Sequence, residues 1–262
     1  MTPFRRAVSR ALLLTAVAAL PATAPALAQD KGAKPLDRAA VEQIVREYIL
    51  AHPEIILEAV QELDKREKQA TEQAQADALK ANRDKLVASP TSPVGGNPKG
   101  DVTLVEFFDY NCGYCKKAHP ERVEAVKADG KVRVVYKEFP ILAPSSEEAA
   151  KAALAAAKQG KYEAMHSALM SNAGRLDSAA IDAAAKTAGV DVAKMRKDME
   201  DAAITREIED NKALASALGI RGTPGFVVGD TLIPGAIEKD QFALVFASAR
   251  EDAKAAGTKR GG

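Results

Sequence analysis

The chain has 262 residues, enough for one large domain or two small ones with a sizeable core. It holds 37 Lys and Arg against 36 Asp and Glu, and aromatic residues make up 5%. Neither a basic surface nor a stacking platform for nucleic acid is therefore expected. The two cysteines are too few for a disulfide scaffold or for an iron–sulfur cluster held by this chain alone.

Residues 1–28 have the pattern of a secretory signal peptide. Three arginines lie within the first ten residues, and the apolar run Ala11–Leu20 that follows is too short to span a membrane. Ala26-Leu27-Ala28 then has the small residues of a cleavage site. An uncleaved membrane anchor is the alternative, which the short run disfavours. We therefore expect export to the periplasm, an oxidising compartment in which a cysteine pair can form a disulfide.

Residues 35–88 have the pattern of a helical region. Asp37 is suited to cap a first helix, and Pro53 is suited to the first turn of a second. The apolar positions at helical spacing are Val41, Ile44, Val45, Ile49, Ile56, Leu57, Val60 and Leu63. Such a face must be buried, either against other copies of the chain or against the rest of the same chain. Beyond Leu63 the apolar stripe fades, which predicts an exposed helix over residues 64–85.

Residues 89–100 contain Ser-Pro, Gly-Gly and Asn-Pro steps, which are typical of a linker at a domain boundary. Residues 101–255 have an α/β pattern. Two buried strands, Val102–Phe108 and Val132–Tyr136, flank a helix and should be parallel. A helical block over about residues 146–218 follows, and then a hairpin with Gly229-Asp230 at its turn. A final helix is predicted to end near Ala255.

The sequence Cys112-Gly113-Tyr114-Cys115 comes directly after the first strand and opens the first helix of this region. A thiol at a helix N-terminus is stabilised as thiolate by the macrodipole and by free backbone N–H groups. Cys115 lies one helical turn further on, close enough to bond to Cys112. We therefore predict thiol–disulfide chemistry in which Cys112 attacks a substrate disulfide and Cys115 resolves the mixed disulfide. The reverse direction would donate a disulfide to a substrate.

Other sites built on this cysteine pair are less well supported. A c-type haem site needs histidine after the second cysteine, where this chain has Lys116. A structural zinc site needs four ligands, and His119 would bring the total only to three. An inert disulfide across three residues would stabilise little. We therefore expect no cofactor and no metal ion. The alternative from a different functional class, a protein that is not an enzyme, is a copper-binding or holdase chaperone.

Three further features resemble the thioredoxin superfamily, and its DsbA-type branch in particular. Pro120 matches the proline of the family's active-site helix, and Thr223-Pro224 matches its cis-proline loop. Glu106, six residues before Cys112, matches its buried acid. The resemblance implies a thioredoxin fold with a helical insertion, in which Glu106 exchanges a proton with Cys115 and Thr223-Pro224 positions the substrate backbone. The residues by themselves, without the resemblance, leave two alternatives open. The Thr223-Pro224 bond could be trans, and the side chain of Glu106 could face outward.

Residues 35–88 resemble the oligomerisation segment of the ScsC (suppressor of copper sensitivity) group, and Gly113-Tyr114 with Thr223 resembles the disulfide isomerase DsbC rather than DsbA. The resemblance implies a periplasmic homo-oligomer, for which a trimer is one option. It would act as an isomerase or reductase on misfolded secreted proteins. A membrane partner of DsbD/ScsB type would keep its cysteines reduced. The alternative is a DsbA-like dithiol oxidase served by a DsbB-type partner.

Overall fold

A computed structural model describes residues 37–258 of the chain, with side chains up to residue 255. The signal-peptide pattern of residues 1–28 lies outside the described residues, so it stays a prediction. The chain forms two compact units that divide between Gln61 and Glu62.

The first unit contains helix α1 (Arg38–Ala51) and the start of helix α2 (Glu54–Ala81). The carboxylate of Asp37 caps α1 by accepting the backbone N–H of Ala40 at 2.7 Å, as predicted. The large apolar side chains of this unit are mostly solvent-exposed, with exposed fractions that reach 70% at Leu50. Within residues 37–258, no helix combines the length and the apolar character needed to cross a membrane.

The second unit is built on a five-stranded sheet, and the short helix α3 (Arg83–Val87) precedes the first strand. Its strands are β1 (Val94–Gly96), β2 (Val102–Phe108), β3 (Val132–Glu138), β4 (Gly225–Val228) and β5 (Thr231–Pro234). They lie in the order β1-β3-β2-β4-β5. β2 and β3 are parallel, as predicted, and helix α4 (Gly113–Asp129) connects them. The other neighbouring pairs are antiparallel, including the predicted hairpin of β4 and β5.

Five helices form an insertion between β3 and β4. They are α5 (Pro144–Ala157), α6 (Tyr162–Met170), α7 (Ser178–Thr187), α8 (Val192–Asp198) and α9 (Ala202–Ala217). α5 contacts each of the other four, and its alanines from Ala149 to Ala156 are buried. Small side chains allow this close approach of several helices to one. Helix α10 (Lys239–Thr258) follows the hairpin and packs against α4.

The alternation of side chains along β2 determines where Glu106 lies. Leu104 and Phe108 belong to the apolar core that contains the cysteines, and Val105 and Phe107 belong to a second core on the other face of the sheet. Because residues two apart in a strand share a face, Glu106 lies on the face of the cysteines. It is fully buried there, so the outward-facing alternative is excluded.

The segment expected to be a linker instead includes a strand, because β1 pairs with β3. Just before β1, the hydroxyl of Ser92 is buried and donates to Glu207 at 2.7 Å. The ammonium of Lys137 donates to the same hydroxyl at 2.7 Å and to the backbone oxygen of Lys85 at 2.8 Å. The Pro and Gly steps that suggested a linker therefore lie in a packed sheet edge. The domain boundary proposed there stays a prediction.

Candidate active site

The cysteine pair lies where strand β2 passes into helix α4. Cys112 is the N-cap of α4, and its sulfur accepts the backbone N–H of Cys115 at 3.4 Å. Both cysteines are free thiols, Cys112 6% exposed and Cys115 fully buried. The strand and the helix thus place Cys112 within reach of solvent and Cys115 behind it.

The surroundings of Cys112 favour its thiolate. A hydrogen bond from the Cys115 side chain is the largest cause that lowers the pKa of Cys112, to about 5. Thr223 and the backbone N–H groups of Cys115 and Tyr114 lower this pKa further, whereas burial opposes them. At neutral pH Cys112 is therefore a thiolate, which is the reactive form of a cysteine.

Cys115 has the opposite character. Its hydrogen bond to Cys112, followed by burial, raises the pKa of Cys115 well above its ordinary value. The negative charges of Cys112 and Glu106 raise it further. Cys115 therefore stays protonated until a base removes its proton, so the two thiols can act in sequence.

The loop before β4 lies against the nucleophile. The peptide bond between Thr223 and Pro224 is cis, which confirms the expectation. The sulfur of Cys112 lies 3.2 Å from the backbone oxygen of Thr223. The backbone of this loop is thus directly beside Cys112, where it can meet the backbone of a polypeptide bound to that sulfur.

Glu106 forms a buried ion pair that the sequence analysis missed. Its carboxylate oxygen lies 2.8 Å from Nε of Arg122, and both side chains are almost fully buried. Burial raises the pKa of Glu106, and the charge of Arg122 opposes that rise. Arg122 lies seven residues after Cys115, which is two helical turns, and so on the same buried face of α4. The seven-residue spacing from Cys115 is the sequence signal that could have identified Arg122 as part of the site.

Two buried histidines surround the guanidinium of Arg122. One of its nitrogens lies 3.1 Å from Nδ1 of His119 and 3.3 Å from Nε2 of His166. Burial, assisted by Arg122, lowers the pKa of His119 to about 4 and that of His166 well below its usual value. The side chain of His119 is buried because α4 turns it inward beside Arg122. His166 is buried on α6, within the helical insertion.

Glu138 is a second buried acid on the same side of the sheet. Its carboxyl oxygen accepts the hydroxyls of Tyr110 at 2.9 Å and Tyr162 at 2.7 Å. Burial raises the pKa of Glu138 well above its usual value. The Tyr110 hydroxyl also lies 3.1 Å from Nδ1 of His166. A polar network thus extends from Glu106 through Arg122 into the helical insertion.

The part of the chain that the structure describes has no group of three or more His, Cys, Asp and Glu residues arranged to hold a metal ion. The two cysteines, the buried acid and the cis-proline loop are together equipped for thiol–disulfide exchange instead. The roles of the individual residues stay predictions.

Comparison with known protein families identifies the second unit. A family model described as "DSBA-like thioredoxin domain" matches residues 103–247, more than half of the chain. The chain belongs to the DsbA-like thioredoxin family. It has the fold that the resemblance predicted, and its family is one of thiol–disulfide oxidoreductases. A second model, described as "Copper resistance protein ScsC N-terminal domain", matches residues 37–70.

Solved structures support the same assignment. A thioredoxin-like oxidoreductase from Silicibacter pomeroyi is 49% identical, with a TM-score of 0.64 over 65% of this chain and 98% of the other. The catalytic domain of Proteus mirabilis ScsC is 32% identical, with a TM-score of 0.62 over 66% and 97%. The thiol–disulfide exchange protein alpha-DsbA2 from Wolbachia pipientis is 29% identical, with a TM-score of 0.63 over 70% and 97%.

The curated relatives that match are Na⁺/H⁺ antiporters of the NhaA type. The one from Salinispora tropica is 31% identical over 137 residues, which are 52% of this chain. The match covers 21% of that antiporter, so this chain spans about a fifth of the length of such relatives. The similarity is therefore to one part of a longer protein.

Proposed function

We propose that this protein is a periplasmic disulfide isomerase or reductase that acts on misfolded secreted proteins. The observation that carries the proposal is the contrast between the two thiols, since Cys112 is a thiolate beside the cis-proline loop and Cys115 is a buried thiol. The match of residues 37–70 to the ScsC N-terminal domain agrees with the resemblance to the ScsC group, which implies an isomerase rather than a simple oxidase.

In the first step, the Cys112 thiolate attacks one sulfur of a substrate disulfide. The substrate's S–S bond breaks, a mixed disulfide forms, and the released substrate thiolate takes up a proton from solvent. The backbone of Thr223 and Pro224 positions the substrate chain for this attack. For an isomerisation, the released group attacks, as its thiolate, a different disulfide of the same substrate. The thiolate freed there then attacks the substrate sulfur of the mixed disulfide, so Cys112 leaves as a thiolate and there is no net oxidation or reduction.

In the second step, Cys115 resolves a mixed disulfide that has not rearranged. Glu106 takes the Cys115 proton, and the new thiolate attacks the sulfur of Cys112. The mixed disulfide breaks, and the substrate leaves with two thiols once its second sulfur has taken up a proton from solvent. Cys112 and Cys115 form a disulfide, and the two electrons that they lose are those that the substrate disulfide gains. Arg122 compensates the charge of Glu106 at 2.8 Å and so keeps the acid able to accept a proton.

The exposed apolar helices support assembly into a homo-oligomer, for which a trimer is one option. Ile44 and Leu57 are 52% and 66% exposed, and contact with other copies would bury them. Several linked active sites would help an isomerase, because one can hold a misfolded chain while another attacks it. A membrane partner of DsbD/ScsB type would return the cysteines to the reduced state.

The test is the refolding of a protein with scrambled disulfides, with the mass of the catalyst in solution measured in parallel. We compare the wild type with Ile44→Glu/Leu57→Glu and, as a matched control, with the exposed polar pair Gln43→Glu/Gln61→Glu. We expect the wild type to be an oligomer that isomerises disulfides, the apolar variant to be a monomer with little isomerisation, and the control to behave as wild type. A monomeric wild type that only oxidises dithiols would contradict the proposal.

A second candidate function, a DsbA-like dithiol oxidase, is favoured by the pKa of about 5 for Cys112. A stabilised thiolate stabilises the reduced pair, which makes the disulfide form a stronger oxidant. The reduction potential of the pair separates the candidates. A potential well above that of the glutathione pool, with the pair found oxidised in cells, would favour the oxidase and a DsbB-type partner.

A further inference from the structure

Asp109 connects the segment after β2 with the segment after β3, at the end of the sheet where Cys112 lies. It follows the last residue of β2, precedes Cys112 by three residues and is 1% exposed. One carboxylate oxygen accepts the backbone N–H of Asn111 at 2.7 Å. The other accepts the backbone N–H groups of Ile141 at 2.8 Å and Leu142 at 2.9 Å. One buried carboxylate thus holds both the turn before the nucleophile and the loop after β3.

A second connection joins the same turn to helix α5. The side-chain amide of Asn111 donates to the hydroxyls of Ser145 at 3.0 Å and Ser146 at 2.8 Å. These serines lie in the first turn of α5, directly after the loop. The loop is therefore fixed at its centre by Asp109 and at its far end by Asn111, both within three residues of Cys112.

The side chains that this fixed loop presents to solvent are apolar. Ile141 is 42% exposed and Leu142 is 53% exposed. Tyr114, between the two cysteines, is 69% exposed. To bury a carboxylate is costly unless it is fully hydrogen-bonded, and here three backbone donors satisfy it. The result is a short loop whose backbone is held rigidly while its aliphatic side chains remain free to contact another molecule.

We propose that Asp109 is a positioning residue for substrate recognition. By fixing the loop, it allows Ile141 and Leu142 to contact an apolar side chain next to the reacting cysteine of an unfolded polypeptide. A folded protein buries such side chains, so this contact would select unfolded or misfolded chains. A surface that is already ordered loses less conformational entropy on binding than a flexible one. The inference rests on the thiol–disulfide exchange of the proposed function, and an oxidase or a reductase would need the contact as much as an isomerase.

The test uses two disulfide-containing peptides that differ only in one residue, leucine or serine, next to the reacting cysteine. The reduced full-length protein reacts with each under single-turnover conditions, and the ratio of the two second-order rate constants is the readout. We expect the wild type to prefer the leucine peptide by about tenfold, the order expected for partial burial of one leucine side chain. A change in the chemistry of Cys112 alone would alter both rate constants equally and leave the ratio unchanged.

Two variants test the inference from different sides. Ile141→Ser/Leu142→Ser removes the apolar contact at exposed positions. Asp109→Asn leaves the side chain with one acceptor atom instead of two, so the loop loses part of its attachment. We expect the preference to fall about tenfold in the double variant, towards no preference, since the contact that creates it is gone. In Asp109→Asn we expect a fall in the same direction.

The matched control is Leu244→Ser on α10, where an aliphatic residue is 71% exposed. We expect this variant to keep the wild-type preference. A preference that survives in Ile141→Ser/Leu142→Ser overturns the inference, and this variant decides alone should Asp109→Asn fail to fold. A wild type that reacts with both peptides but does not isomerise disulfides would refute the isomerase proposal only. A wild type that reacts with neither peptide would refute the proposed function and this inference together.

Discussion

The two units of the chain contain similar aliphatic residues but bury them very differently. In the first unit Ile44 is 52% exposed and Leu57 is 66% exposed, whereas Leu104 and Val105 in the sheet of the second unit are fully buried. Helices α1 and α2 satisfy their backbone hydrogen bonds locally, so they form without a core of their own. The sheet requires both faces to be covered. The exposed apolar stripe of the first unit is therefore the surface that the proposed contact with other copies of the chain would cover.

The largest effect is expected from substitution of the cysteines, which should stop thiol–disulfide exchange without changing the assembly of the chain. Cys112→Ser removes the thiolate, so we expect thiol–disulfide exchange to fall to the uncatalysed background. Cys115→Ser keeps the nucleophile but not the resolving thiol, so we expect mixed disulfides with substrates to accumulate, as seen on non-reducing gels. Neither change touches residues 37–61, so the mass in solution should equal that of the wild type. Appreciable turnover by Cys112→Ser would contradict the assignment of the nucleophile.

A matched pair of leucine substitutions should distinguish the exposed apolar residues of the first unit from the buried apolar residues of the second. Leu104→Ala leaves a cavity in the core and should lower the free energy of unfolding by about 2–5 kcal/mol. Leu57→Ala should change it by less than about 0.5 kcal/mol under conditions in which the chain is monomeric. Urea titrations at several protein concentrations measure both. If copies of the chain bury Leu57, the effect of Leu57→Ala should grow with protein concentration. A large effect in the monomer would mean that Leu57 is buried within its own chain.

The buried acid offers a test within the second unit. Glu106→Gln cannot accept the Cys115 proton, so the resolving step should slow by about 10²-fold near neutral pH. The defect should diminish as pH rises, because hydroxide can then remove the proton. The lifetime of the mixed disulfide, followed against pH, measures this step. Glu124→Gln replaces an exposed acid on α4, the helix that also contains Cys115, so it serves as the control and should leave the lifetime unchanged. A lifetime in Glu106→Gln that matches the control would exclude Glu106 as the base.

The smallest expected effect concerns the pH dependence of Cys112. With a pKa of about 5, its alkylation by iodoacetamide should reach half its maximal rate near pH 5. Cys115→Ala removes the largest cause of the low pKa, so the midpoint should move upward. A midpoint in the wild type near that of a free cysteine, about 8.5, would contradict the described thiolate environment.

The same ionisation should appear in the stability of the reduced protein. The pKa of Cys112 is about 5 when folded and about 8.5 when unfolded, so ionisation favours the folded state. This contribution is complete above about pH 8.5 and is lost as pH falls through about 5. Relative to Cys112→Ser, the reduced wild type should therefore lose free energy of unfolding between these limits.

The sequence by itself was sufficient for features that depend on neighbouring residues. Asp37 and the apolar spacing after it predicted α1, and the run Val102–Phe108 has the bounds of β2. The cysteine pair identified its own chemistry, because a Cys-x-x-Cys at the start of a helix has few other uses. The cis bond at Thr223-Pro224 and the burial of Glu106 came from the family resemblance rather than from local patterns, and the structure confirms both.

Only the tertiary structure decided which residues distant in the sequence meet. Arg122 and His166 are separated by 44 residues, and nothing local in the sequence brings them together around Glu106. The carboxylate of Asp109 reaches the backbone N–H of Ile141 because β2 and β3 are parallel, so their C-terminal ends lie side by side. β1 went unpredicted for the same reason. A three-residue strand rich in glycine has no periodicity, and its pairing with β3 provides the backbone hydrogen bonds that make it a strand.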